Sequence, residues 1–210
     1  MTNPARSSPA YIRVVLLVAV GLGVMVSVSA AQESALAMTV ESITPGDFSL
    51  GPLKGLVALN KEQEAALKAQ NRAMLSTIES MATPRAIVLG LLATSALLVF
   101  VTSLQIRWSL EAPVVTLARR LSVAALISAV LRTMDGAQHL VIVRRAAEAN
   151  GRAMAGSGGP DADAVIAVTR GLASIMSVGW TTVVVALFVA LGTYFRSPKV
   201  LTAFVAPEDD

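Results

Sequence analysis

The sequence predicts an all-α, multi-pass membrane helix bundle: four transmembrane helices, or three if the first is a cleaved signal peptide, plus one extramembrane amphipathic helix. Three observations carry this prediction. Of 210 residues, 54% are hydrophobic and 15% charged, against roughly 25% charged in an average soluble domain. Mean hydropathy is +0.66. The apolar residues also collect in long uncharged runs, with Pro, Gly and Asn clustered between the runs, as segments that must cross a bilayer require.

Residues 1–31 hold a polar leader with Arg6 and Arg13, then an uncharged run over 14–31. A run of that length rises about 27 Å, enough to span the hydrocarbon core. Ala19, Gly23, Ser27 and Ala31 recur every four residues, a small-residue stripe that lets membrane helices approach closely. Val28, Ser29, Ala30 and Ala31 also fit a cleavage pattern. The run therefore reads as a retained helix, which the stripe favours, or as a signal peptide.

Segment 32–83 is ordinary soluble sequence and is expected as an extracytoplasmic loop. Pro45, Gly46, Gly51, Pro52 and Gly55 mark its first half as irregular. Asn60 with Gln63 forms a helix-start pair that opens an amphipathic helix over about 60–82. Leu67, Asn71, Met74, Ile78 and Met81 share one seam, away from Glu62, Glu64, Lys68 and Arg72, and Glu64 and Lys68 form an i,i+4 pair. Three readings of the seam stand: packing on its own protein, contact with a protein partner or a second copy in a homo-oligomer, or lying on the lipid bilayer.

Thr83 and Pro84 suit the N-cap and first position of a new helix over 84–107. Its stretch 86–106 carries no charge and is closed by Arg107 and Trp108, the latter suited to a membrane interface. The 109–113 break precedes a long helix over 113–150 with a transmembrane part at 121–143, bracketed by Arg119 and Arg120 and by Arg144 and Arg145. Its polar interior leaves open a helix lying in the interface instead. Asn150 and Gly151 read as the stop, followed by a Gly-rich linker over 151–163. The last transmembrane helix covers 164–195, with Pro160 at its first position and Asp161 and Asp163 complementing the helix dipole. At about thirty residues it exceeds one bilayer thickness, so it tilts or projects into water. Residues 196–210 form a tail.

Placing both termini in the cytoplasm puts Arg6, Arg13, Arg107, Arg119, Arg120, Arg196 and Lys199 inside at higher density than the basic residues outside, as the positive-inside rule favours. Size and Ala and Val richness point to a bacterial inner membrane.

Several function classes drop out. The chain has no cysteine, so thiol and cysteine-metal chemistry is excluded, and its few aromatics argue against nucleic-acid binding. No zinc-helix, phosphate-loop or nucleophile-elbow motif is present, and no cofactor is implied. What remains is a polar set inside the 121–143 run: Arg132, Asp135, Gln138 and His139, at spacings that share one side of a helix, with Arg170 as the expected charge partner from the last helix. Ionisable groups at bilayer depth cost on the order of 3 kcal/mol each, so they face protein or water. Read structurally, the set is self-neutralising glue between helices. The expected function is accordingly a non-enzymatic structural or accessory subunit. A proton- or ion-conducting component using the same stripe is the alternative, and a membrane enzyme with His139 as general base is a third reading.

Overall fold

The computed structural model describes residues 10–39, 61–108, 114–154 and 162–204. Among them every element is helical: α1 (Ala10–Thr39), α2 (Lys61–Ser80), α3 (Ala82–Trp108), α4 (Val114–Met154), α5 (Ala162–Arg196) and the short α6 (Pro198–Ala203). Four of these, α1, α3, α4 and α5, are long and apolar enough to cross a membrane. In hydrocarbon only a helix or a closed barrel satisfies its backbone N–H and C=O groups, so uncharged runs of this length fold as helices. The irregular stretch with Pro45 and Gly55, the Asn60 cap, the 109–113 break, the 156–160 connector with Asp161 and the end of the tail lie outside the described residues.

Helix boundaries depart from the sequence reading in several places. α1 continues past 31 to Thr39, because Ser34 and Ala37 are buried and extending the helix gains packing. α3 begins at Ala82, two residues before Pro84. The Arg85 amide donates to the Met81 carbonyl at 2.9 Å, which makes Met81 the cap and leaves Pro84 in the first turn, where no N–H partner is needed. α4 runs through Asn150 and Gly151 to Met154. Gly151 is no stop: a Cβ there would stand 3.0 Å from the Ile166 Cα, so the glycine serves close approach to α5. The tail contains α6, with Ser197 as N-cap and Val200 buried.

The helices form two packed units, one drawing on residues up to 33, 88–133 and from 182 onward, the other on 34–87 and 134–181. The first has an apolar core of Ile12, Leu16, Leu89, Leu92, Val99, Leu121, Phe188 and Phe195 among others. Within it α1 meets α3 at Gly23, where a Cβ would lie 2.8 Å from the Phe100 amide nitrogen and 2.9 Å from the Ala96 carbonyl oxygen. The small-residue stripe is thus used at Ala19 and Gly23 and then leaves the contact. A spacing of four overshoots the helical repeat by about 40° per step, so Ala30 is buried while Ala31 is exposed. Two polar contacts add register: Ser95 and Ser128 share a hydrogen bond of 2.9 Å, and the Ser122 hydroxyl donates to the Gly192 carbonyl at 2.7 Å.

In the second unit α2 packs on its own chain. Leu75 and Ile78 join Ala37 and Ile142 in a small core flanked by Met74, Met81, Ala82 and Ala86. Ile78 of the expected seam is buried and Met74 and Met81 pack half-buried beside it, Leu67 and Asn71 are half-buried as well, and Ala66, Leu75 and Thr77 are buried outside the seam. Asn150 Nδ2 on α4 donates to Gln70 Oε1 on α2 at 2.9 Å. The Glu64 and Lys68 pair forms at 2.8 Å with both side chains at least half exposed, so it contributes under about 1 kcal/mol. α4 and α5 run antiparallel: Gly136 lies against Thr181 and Gly151 against Ile166, fifteen residues on along α4 and fifteen back along α5.

The Gly23 contact yields a paired test. Gly23→Leu must displace backbone atoms of α3, and we expect it to destabilise the detergent-solubilised protein by roughly 1–3 kcal/mol. Gly21→Leu, where a Cβ meets nothing within 4 Å, is expected to be close to neutral. Equal thermal unfolding of the two variants would refute the role of Gly23 as a contact.

Candidate functional site

Asp135 is the buried acid of the polar set, at 1% exposure, and it lies against Arg85, itself 4% exposed, with Nη1 and Oδ1 3.4 Å apart. That separation is an ion-pair contact longer than an optimal N–H···O bond. α4 supplies the carboxylate and the first turn of α3 supplies the guanidinium. A cation in a first turn opposes the positive end of the helix dipole, and no acidic residue in that turn offsets it. Asp135 supplies the missing charge from the neighbouring helix. Neither group tolerates burial alone, since an uncompensated buried ion costs several kcal/mol. Helical spacing within α4 does not reveal Arg85; a basic residue at a helix start with no acid in the same turn is the one feature of the sequence that could have indicated it.

The pair also fixes where Asp135 stands. Arg85 directly precedes the uncharged run of α3, so Asp135 is level with the membrane end of that run. On α4 itself the same residue lies eight positions inside the 121–143 run, about 12 Å along the axis.

The remaining expected residues of α4 differ in exposure. His139 is exposed, and Gln138 is half-buried. Gln138 Oε1 and, on α5, Ser177 Oγ are enclosed without a hydrogen-bond partner among the described residues. Arg132 falls in the first unit, half-buried on α4. The expected contact from Arg170 to this set is not made, for a reason of register. Thr181 is the α5 residue beside Gly136, and Arg170 lies eleven residues earlier, about 16 Å away along the helix.

Arg170 instead faces Arg144 and Arg145 across an open groove of about 670 Å³, lined also by Glu148, Ala167, Gly171, Ser174 and Ile175. Arg144 Nε donates to Ser174 Oγ at 3.0 Å, and that hydroxyl donates to the Arg170 carbonyl at 2.7 Å. Glu148 is engaged by Arg152 at 2.8 Å. No group of three or more His, Asp or Glu among the described residues is placed to hold a metal ion.

Removing one member of a buried pair takes a compensating charge from the other, so Asp135→Ala is expected to destabilise the fold by about 3–5 kcal/mol. The double variant Arg85→Met with Asp135→Leu is expected to recover most of that loss. Denaturant titrations in detergent arranged as a double-mutant cycle measure the coupling, and additive losses would show that the two charges do not support each other.

No protein-family model, curated protein or solved structure matches this chain, so its function is argued from its own residues.

Proposed function

We propose that the chain is a non-enzymatic structural or accessory subunit of a bacterial inner membrane, with both termini cytoplasmic. The observation that carries this reading is the ion pair of Arg85 and Asp135. It engages the buried carboxylate of the polar set in joining two helices, and a buried pair of this kind is best suited to fixing register. The exposure of His139 supports the same reading, because a relay or a general base works from an enclosed polar path or pocket.

Retention of the first helix belongs to this proposal. Ile12, Leu16, Ala19, Leu22 and Val26 contribute to the core of the first unit, and cleavage near residue 31 would remove them. As for a protein partner or a second copy, the apolar side of α2 is occupied by its own chain. A contact through α2 would therefore use the outward side that carries Glu64, Lys68 and Arg72.

Three measurements test the proposal. Proton and cation flux through proteoliposomes is expected at the level of empty vesicles for the native chain, Asp135→Asn and His139→Ala alike; flux that either substitution abolishes would favour the conducting reading instead. The intact mass of the membrane-extracted protein is expected to include residues 1–31, and a mass lacking them would overturn retention. Mild-detergent extraction is expected to yield an oligomer or a co-purifying partner, and a strictly monomeric, solitary protein would overturn the accessory role.

A further inference from the structure

The geometry points to a binding site for the phosphate group of an anionic phospholipid in the groove between α4 and α5. Three guanidinium groups, Arg144 and Arg145 from α4 and Arg170 from α5, line one space of about 670 Å³. None of them pairs with a carboxylate among the described residues, and the single acid on the wall, Glu148, is engaged by Arg152. Cations gathered at this density repel one another unless an anion joins them, and a phosphate diester accepts paired hydrogen bonds from the planar arginine fork. Ser174 takes the Arg144 Nε at 3.0 Å and so orients that guanidinium at the wall.

The surroundings favour a lipid over a soluble phosphate. Arg144 ends the 121–143 run of α4, and Arg170 precedes the uncharged 171–195 run of α5, so the three charges stand at the ends of two uncharged runs. Beside them Leu172, Ile175 and Met176 are exposed at 59%, 71% and 76%, a surface for acyl chains. A headgroup in the groove with its chains along α5 satisfies both chemistries, as basic pockets between membrane helices do. The floor is open, since a Cβ at Gly171 would meet nothing within 4 Å.

The full chain, purified in dodecyl maltoside, is titrated with dioleoylphosphatidylglycerol, with dioleoylphosphatidylcholine, and with inorganic phosphate as competitor, and native mass spectrometry reads the bound lipid. Phosphatidylglycerol is expected to be retained in preference to phosphatidylcholine. Each single Arg→Gln change at 144, 145 or 170 is expected to lower that preference about fivefold. Glu148→Gln is expected to raise it. Gly171→Leu fills the groove with all three arginines in place and is expected to abolish the preference without altering thermal unfolding, so it decides the matter even if a combined arginine variant fails to fold. Equal retention of the two lipids, or a preference untouched by Gly171→Leu, would overturn the site. Displacement of the lipid by equimolar phosphate would reassign the groove to a soluble anion and overturn the lipid assignment.

Discussion

Close approach of neighbouring helices at glycine is the constraint on which the rest of the packing depends. Lipid tails are as apolar as leucine, so helices in a bilayer gain little from hiding apolar surface and associate through close van der Waals contact and interhelical hydrogen bonds. In the first unit Gly23 admits the backbone of α3, and Gly192 admits Leu126 while its carbonyl takes the Ser122 hydroxyl. In the second, Gly136 admits Thr181 and Gly151 admits Ile166. At each position a Cβ would press on the neighbouring helix, on backbone atoms at Gly23 and on side-chain atoms at Gly136 and Gly192. The α4 and α5 register set by these contacts also decides the electrostatics, since it carries Arg170 away from Asp135 and brings it to Arg144 and Arg145.

The buried ion pair works differently from the glycines. Desolvating an arginine and an aspartate costs about as much as their attraction returns, and apolar residues of similar volume often hold as well. Its value lies in discrimination. A slip of α3 against α4 by one turn would strand Asp135 and Arg85 in apolar surroundings, whereas a slipped apolar contact loses little. The serine contacts act in the same sense more weakly: the Ser95 and Ser128 bond and the Ser122 to Gly192 bond are each worth about 0.6–2 kcal/mol.

Run length and composition were enough to read the all-helical class and the four apolar helices, because hydrocarbon leaves a chain few alternatives. The ends of helices were read less well. Gly151 looks in sequence like a C-terminal cap, yet glycine serves equally as a contact point, and only the neighbouring Ile166 distinguishes the two uses. Gln32 to Thr39 looks like loop because it is polar, although nothing in it breaks a helix and Ser34 hydrogen-bonds the Ala86 carbonyl at 3.3 Å. The polar set was legible as a place on α4. Its partner was not, since Arg85 and Asp135 are fifty residues apart in sequence and helical spacing speaks only of neighbours within one helix. Likewise the groove joins Arg144 and Arg145 to Arg170 across the α4 and α5 register, which no single run displays.

The level of the ion pair has a mechanical consequence. Beside α3 the hydrocarbon surface ends at Arg85, yet α4 continues past Asp135 for eight residues without Lys, Arg, Asp or Glu. On one side of that extension α2 takes the place of lipid, covering Ile142 with Ile78 and Leu75. Along α5, Leu172, Ile175 and Met176 are exposed among the described residues. From the level of the ion pair the uncharged surface of α4 therefore extends about 12 Å further than that of α3, and a bilayer meets a mismatch of this kind by tilt or local thickening at a fraction of a kcal/mol per ångström. Because the Arg85 and Asp135 charges are already enclosed by protein, the uneven edge sets the tilt of the helices against a bilayer rather than the hydration of the pair.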